Sequence, residues 1–201
     1  MNDYPTTFAD DVFAEQGNDL SDTAKQALAR LSEKGYVVHT GLRRTDVAAL
    51  HALSLQPSIR EYCPNDCTKR FKDEQTTANW LEKGRLAVLL VHKKTGAIAG
   101  YGWFGPGTSE HVPSGRETFG LRVSEDHQGN GLATPFLTVI LDLAKQRYEV
   151  QQLWLESWQS NAGALHVYQK LGFVTVHTEP ARRPTKNNAA TPDTRVYMVL
   201  T

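Results

Sequence analysis

The sequence has little of several features that mark specialised classes of protein. Its 201 residues include two cysteines, Cys63 and Cys67, and carry 22 basic and 22 acidic side chains. Two thiols with no matching Cys or His pair cannot complete a structural zinc site, so no metal is expected. They favour reduced thiols in a reducing compartment, with a disulfide as the second choice. The balanced charge excludes a global positive field, so neither nucleic acid nor an anionic membrane surface is an expected partner.

Long apolar segments are also missing. The longest aliphatic run, at residues 86–91, is far shorter than the roughly 20 residues that a membrane-spanning helix needs. No basic segment followed by a long apolar stretch opens the chain. These absences predict a cytoplasmic protein with no membrane partner.

The length suits one domain with a substantial buried core. Residues 1–19 are polar and lack a sustained period, which predicts a mobile leader before a single domain at residues 20–201. Helical patterns come first, then a hairpin at residues 86–104, and two further helices cross the later strands. Residues 179–193, rich in proline, asparagine and basic side chains, predict a long exposed loop. This order indicates a mixed α/β domain.

The most informative segment is Gln128-Gly129-Asn130-Gly131-Leu132-Ala133. It joins a strand-like run at residues 117–123 to an amphipathic helical pattern, and Pro135 suits the first turn of that helix. The first N–H groups of a helix lack intrahelical acceptors and carry the positive end of its dipole. Because Gly129 and Gly131 have no side-chain bulk, phosphate oxygens can reach those N–H groups. The alternative is a plain turn whose glycines only satisfy a backbone requirement.

Three further features follow this segment in order: Asn161, Tyr168 and Leu171-Gly172-Phe173. Together with Gln128-x-x-Gly131-x-Ala133 they resemble the GNAT superfamily of N-acetyltransferases, over about half of the chain. The resemblance implies a GNAT-like α/β fold with a mixed, mostly antiparallel central sheet and flanking helices. It also implies a splay between the fourth and fifth predicted strands, at residues 117–123 and 152–158.

The resemblance further implies acetyl-CoA as the co-substrate. Backbone groups of Leu121 and Val123 would hold the pantetheine arm, and Asn161 would contact it. Asn161 has the alternative role of capping its helix, for which asparagine is favoured. An N–H group near Val123 would face the oxygen of the acetyl carbonyl. The pyrophosphate would meet the N–H groups of Gln128, Gly129, Asn130, Gly131, Leu132 and Ala133.

Two proton transfers accompany acetyl transfer to an amine. By the resemblance, Tyr168 is the general acid for the CoA thiolate, although its ring could instead only pack in the core. Glu117 is the preferred base because it begins the strand on the substrate side. Glu156 or water is the alternative.

The resulting prediction is an N-acetyltransferase that moves acetyl directly from acetyl-CoA to the primary amine of a small molecule. One alternative is acetylation of a protein N-terminal α-amine, suggested by the segment at residues 41–46. Another is a non-catalytic acyl-CoA sensor. The acceptor and the oligomeric state, with a homodimer among the options, are left open by the sequence.

Overall fold

The computed structural model describes residues 6–112, 117–184 and 190–200. In these ranges the chain forms one sheet with α-helices on its faces. The strands are β1 (Phe13–Ala14), β2 (Tyr36–Thr40), β3 (Leu86–His92), β4 (Ile98–Pro106), β5 (Glu117–Val123), β6 (Leu153–Trp158), β7 (Val174–Pro184) and β8 (Ala190–Leu200). The helices are α1 (Asp22–Glu33), α2 (Val47–Ser54), α3 (Pro57–Tyr62), α4 (Glu74–Leu81), α5 (Ala133–Tyr148) and α6 (Ala162–Lys170).

The strand order in the sheet is β1-β2-β3-β4-β5-β6-β8-β7. Neighbouring strands are antiparallel except β5 and β6, which are parallel. The predicted mixed, mostly antiparallel α/β sheet is therefore confirmed. Because β1 was not predicted, β5 and β6 are the fourth and fifth strands of the prediction. They pair at Glu117 with Leu153 and at Thr118 with Trp154, and later residues of both strands line a cavity.

Two apolar layers cover the sheet. The larger layer includes Phe136, Ile140 and Leu143 of α5, each fully buried, because their helical spacing places them on one face. A Cβ atom on Gly102 of β4 would lie 2.3 Å from Cδ1 of Ile140, so α5 packs directly against the strand. The second layer lies among α2, α4 and the other face of the sheet. The close packing of α5 fixes the position of the glycine turn that precedes it.

The predicted exposed loop at residues 179–193 is wrong where the structure describes it. Residues up to Pro184 belong to β7 and those from Ala190 belong to β8, and the two strands form a long antiparallel hairpin. Prolines are compatible with β7 because it is the edge strand, where a missing N–H faces away from the ladder. The guanidinium of Arg183 also donates to Asp193 (Nε to Oδ2, 2.8 Å) within the hairpin.

Part of the segment predicted to be a mobile leader is docked on the domain. Phe13 and Ala14 pair with β2, which makes β1 an edge strand. Arg147 of α5 contacts two carboxylates of this segment, Glu15 (Nη1 to Oε1, 3.0 Å) and Asp19 (Nε to Oδ2, 2.8 Å). Residues 1–5 lie outside the described residues.

Replacing Arg147 by glutamine is expected to loosen this segment more than the domain. The arginine is partly exposed, so its two ion pairs contribute only about 1 kcal/mol or less to the free energy of unfolding, and less at high salt. Hydrogen exchange should show faster exchange at residues 9–19, while urea unfolding changes little. Lys145→Gln, an exposed change on the same helix, is the control, and equal protection in both variants would contradict the prediction.

The ion pair also carries a pH dependence. The hydrogen bond from Arg147 lowers the pKa of Asp19. The contribution of the Arg147–Asp19 ion pair to the free energy of unfolding is therefore fully present above the usual pKa range of a carboxyl group. It is lost as the pH falls through the lowered pKa of Asp19.

No helix in the described ranges is both long enough and apolar enough to cross a membrane.

Candidate active site

A cavity of about 980 Å³ lies between β5 and β6. Residues 118–123 of β5 and 154–158 of β6 form two of its walls, and the glycine turn before α5 closes one end. Asn161 and Tyr168 line it from α6. The structure thus brings most of the predicted site residues together around one space.

The edge of β5 that faces this cavity presents backbone groups. The N–H of Glu117 donates to the carbonyl of Gln152 across the β5–β6 gap, at 3.2 Å. Backbone groups alternate sides along a strand, so those of Leu121 and Val123 face the gap as well. The Val123 carbonyl accepts from Nε2 of Gln128 at 2.9 Å. An extended ligand arm in the gap could pair with this edge as an added strand would.

The glycine turn is open at both glycines. Gly129 and Gly131 have φ values of 76° and 66°, and a Cβ atom on either would meet nothing within 4 Å. These backbone conformations favour glycine, and the space beside them is empty of protein. Helix α5 then begins after Leu132 with no side-chain cap, and Pro135 is its third residue. The first N–H groups of a 16-residue helix therefore face the cavity with the positive end of the helix dipole.

Two polar side chains of the turn stabilise its shape. Nε2 of Gln128 donates to Oγ of Ser58, 3.2 Å away, in addition to the Val123 carbonyl. Nδ2 of Asn130 donates to the carbonyl of His127 at 3.3 Å. Ala133 lies at the first position of α5 and lines the cavity. The turn is therefore held in place by hydrogen bonds to α3, to the end of β5 and to the residue just before the turn.

Tyr168 lies on α6 with its ring against the aromatic core. The ring packs edge-on against Phe119 at a centroid distance of 5.8 Å, and the residue is 8% exposed. Among the described residues its hydroxyl has no hydrogen-bond partner, and the residue lines the cavity. Burial raises the pKa of Tyr168 to about 12. The phenol therefore keeps its proton at neutral pH.

The two candidate carboxylates occupy different places. Glu117 is the first residue of β5, and the cavity wall begins one residue later, at Thr118. Glu156 of β6 is exposed, lines the cavity and pairs with Arg195 (Oε1 to Nη1, 3.2 Å). Glu156 is therefore better placed than Glu117 to contact an amine in the cavity. Glu117 was the preferred base from the sequence.

Asn161 occupies the N-cap position of α6, and in the described chain its side chain makes no capping hydrogen bond. Its backbone carries the local contacts, with the N–H donating to the Trp158 carbonyl at 2.9 Å. Asn161 lines the cavity. The structure therefore contradicts the alternative role of Asn161, in which its side chain caps α6.

Comparison with known proteins identifies this arrangement. Residues 52–173, well over half of the chain, match the Acetyltransferase (GNAT) family. The chain belongs to that family. The resemblance of its motifs to GNAT proteins is thereby confirmed.

One relative of this GNAT protein is L-amino acid N-acyltransferase MnaT from Escherichia coli (strain K12), at 32% identity over 111 residues. The match covers 54% of this chain and 63% of that protein, less than two thirds of its length.

Solved structures share the GNAT fold. Spermidine N-acetyltransferase from Vibrio cholerae, in complex with CoA and spermine, has a TM-score of 0.67 at 18% identity, covering 83% of this chain and 95% of that chain. The yncA protein from Salmonella typhimurium, solved with acetyl-CoA, has a TM-score of 0.64 at 19% identity, covering 83% and 94%. Ribosomal-protein-S5-alanine acetyltransferase from Vibrio fischeri has a TM-score of 0.65 at 16% identity, covering 83% and 92%.

The GNAT motifs did not reveal a buried charge network beside the cavity. Asp66 is fully buried and accepts hydrogen bonds from Tyr101, Arg70 and Arg122, the last at 2.8 Å from Nε to Oδ2. Burial alone would raise the pKa of Asp66, but the charges of Arg122 and Arg70 outweigh it and the pKa is lowered. The network therefore keeps an ionised carboxylate under two cavity-lining arginines. One signal was present: Arg122 is a charged residue between Leu121 and Val123 in the second half of β5.

Both cysteines are free thiols. Cys63 lines the cavity and burial raises its pKa to about 11, so it stays protonated.

The structure also gives His111 partners that the sequence did not. The His111 ring stacks on His177 at a centroid distance of 4.3 Å, and its Nε2 lies 3.5 Å from Oε2 of Glu179. Ligand atoms of the three residues lie within 4.8 Å of one another. Sequence spacing could not show this group because β7 approaches the loop after β4 only in the folded sheet. The expected absence of a metal stays a prediction.

Proposed function

We propose that this GNAT protein is an acetyl-CoA-dependent N-acetyltransferase that acetylates the primary amine of a small molecule. The observation that carries the proposal is the placement of the open glycine turn and the Tyr168 phenol on one cavity. The yncA and spermidine N-acetyltransferase structures contain acetyl-CoA and CoA, which supports the same co-substrate here. MnaT, by its name, acts on L-amino acids, which are small amines.

The residues around the cavity suit CoA. The N–H groups at Gly129, Gly131 and the start of α5 would bind the pyrophosphate, since anions are stabilised at such a helix end. The gap-facing backbone of Leu121 and Val123 would pair with the amide groups of pantetheine. The side-chain amide of Asn161, which makes no capping hydrogen bond in the described chain, would add a polar contact to the same arm.

In the reaction the acceptor nitrogen attacks the thioester carbonyl carbon, and the C–S bond breaks as the C–N bond forms. The gap-facing N–H of Leu121, two residues before Val123, would stabilise the negative charge that builds on the carbonyl oxygen. Tyr168 would donate its proton to the departing sulfur, giving free CoA thiol, and recover a proton from solvent. Glu156, directly or through water, would take the proton that the amine loses, in place of Glu117.

The contacts of the β7–β8 hairpin favour a small acceptor over a peptide N-terminus. Arg183 reaches across to α3, where Nη1 donates to Oε1 of Glu61 at 2.6 Å and the guanidinium lies 4.9 Å from the Tyr62 ring centroid. Tyr62, Arg182 and the end of β7 line the cavity. The hairpin and α3 are therefore tied together beside the space where an extended peptide would need an open groove.

Two measurements test the proposed function. Calorimetry is expected to show binding of acetyl-CoA and none of ATP. Thiol release from acetyl-CoA should then require an amine from a panel of amino acids, polyamines and short peptides. Tight acetyl-CoA binding with no thiol release for any amine would instead support the non-catalytic sensor.

A further inference from the structure

One end of the cavity holds an aromatic ring beside two positive charges. The guanidinium carbons of Arg70 and Arg85 lie 4.8 Å and 5.2 Å from the centre of the Trp103 ring system. All three residues line the cavity. Asp66 holds Arg70 in place, and Arg85 donates to the carbonyl of Pro106. Both guanidinium groups are therefore oriented before a ligand binds.

The Trp103 indole N–H is a further hydrogen-bond donor, and it lacks an acceptor in the described part of the chain. Trp103 is 5% exposed, and its Nε1 has no hydrogen-bond partner among the described residues. This nitrogen lies next to Gly120, where a Cβ atom would be 2.6 Å away, and Gly120 is also part of the cavity wall. An indole N–H can only donate, and leaving it buried without an acceptor costs stability. Because protein covers this nitrogen, a ligand oxygen would reach it only after a small shift of the indole.

This cluster lies away from the proposed phosphate site. In the sheet Trp103 pairs with Gly120, the middle residue of β5, and Gly105 pairs with Thr118, its second residue. Gly105 lies beside Arg85, whose Cδ would be 3.1 Å from a Cβ atom at that glycine. The glycine turn follows the other end of β5, which lies about 10 Å from Gly120 and about 17 Å from Thr118 along the strand at 3.4 Å per residue. The positive charge of Arg85 is therefore at the acceptor end of the cavity.

The charge of the cavity argues against a polycationic acceptor. The described lining residues include five arginines and one carboxylate, Glu156. Asp66, beneath the wall, adds a second carboxylate. Positive charge in excess repels a polyamine and attracts an anion. The lining arginines are Arg70, Arg85, Arg122, Arg182 and Arg195.

We propose that the acceptor carries a carboxylate near its amine, as an amino acid does, and that Arg70, Arg85 and the Trp103 N–H bind that carboxylate. The proposal rests on the proposed function and names its substrate class. Arginine presents a planar pair of donors that matches a carboxylate, and Trp103 supplies a third donor.

The experiment compares matched acceptors that differ at the carboxylate. Thiol release is measured for a series of L-amino acids, for their carboxamides and for spermidine, with kcat/KM expressed per neutral amine because the carboxamides have less basic amines. We expect each accepted amino acid to exceed its carboxamide about 10- to 100-fold, the effect of losing one charge-assisted contact. Equal values for the pair, or a preference for spermidine, would overturn the proposal.

Two variants assign the effect to these residues. Arg85→Lys keeps the charge but loses the paired donors, and Trp103→Phe keeps a ring but loses the N–H. Each should lower the ratio of amino acid to carboxamide kcat/KM about tenfold, whereas Arg30→Lys, an exposed change on α1, should leave it unchanged. A rise in the KM for acetyl-CoA with an unchanged ratio would show that these groups bind the co-substrate, and would overturn the proposal.

A binding measurement tests the carboxylate site independently of acetyl transfer. Calorimetry with N-acetyl amino acids and their carboxamides, on the protein saturated with CoA, needs no turnover. Stronger binding of the carboxylates, lost in Arg85→Lys, supports the carboxylate site even if no acetyl transfer is found. Equal binding of both forms contradicts it even if transfer to other amines is fast.

Discussion

Replacing Tyr168 by phenylalanine is expected to lower kcat by about 10²- to 10⁴-fold while acetyl-CoA binds as before. The phenol lines the cavity, has no described hydrogen-bond partner and keeps its proton, so its loss removes the proposed proton source for sulfur. The ring and its packing against Phe119 remain in the variant. Pre-steady-state thiol release and calorimetry measure the two quantities separately.

The pH profile gives this prediction a second test. Because burial raises the pKa of Tyr168 to about 12, the wild-type protein should show no loss of the acid between pH 6 and pH 10. Tyr148→Phe is the control, since Tyr148 is a half-buried tyrosine whose pKa is also raised by burial and which is not in the cavity wall. A Tyr168→Phe variant with wild-type kcat would show that the phenol only packs.

Replacing Gly131 by valine is expected to weaken acetyl-CoA binding by roughly 100-fold or more. The side chain would enter the open space where the pyrophosphate is proposed to meet the helix N–H groups, each charge-assisted contact contributing about 1.5–3 kcal/mol. No protein atom lies within 4 Å of the added Cβ, so the substitution causes no clash with the fold there. Calorimetry with acetyl-CoA measures the loss.

The positive φ of Gly131 strains any side chain, and Gly96→Val controls for that strain. Gly96, in the turn between β3 and β4, has a φ of 70° and nothing within 4 Å of a Cβ, much as at Gly131. Both variants should lose about 1–2 kcal/mol of stability from the backbone conformation. Only Gly131→Val should lose acetyl-CoA affinity, and an equal loss in Gly96→Val would assign the effect to stability.

Local patterns were enough to predict the elements of the proposed co-substrate site. The strand-like run at residues 117–123 is confirmed as β5. The glycine turn and the amphipathic helix after it were also readable, because turn conformation and helix periodicity are set by neighbours in the sequence.

The acceptor side could not be predicted in the same way, because its contacts join distant parts of the chain. Asp66 reaches Arg122 only after α2, α3 and β5 have packed together. The β7–β8 hairpin was mistaken for a loop, since prolines discourage a strand except at a sheet edge, and edge position is a property of the topology. Strand direction alone also does not show where the cavity wall begins, so the proposal of Glu156 in place of Glu117 as the base needed the cavity lining.

Asp66 gives both halves of the cavity a common anchor. Its carboxylate holds Arg70, which lies over Trp103, and also Arg122, whose Nη1 donates to the Leu121 carbonyl at 2.8 Å on the gap-facing edge of β5. In the proposed ternary complex, one buried side chain therefore sets the spacing between donor and acceptor molecules. A shift of that carboxylate would misalign amine and thioester together, so tolerance for change at position 66 is expected to be lower than at either arginine.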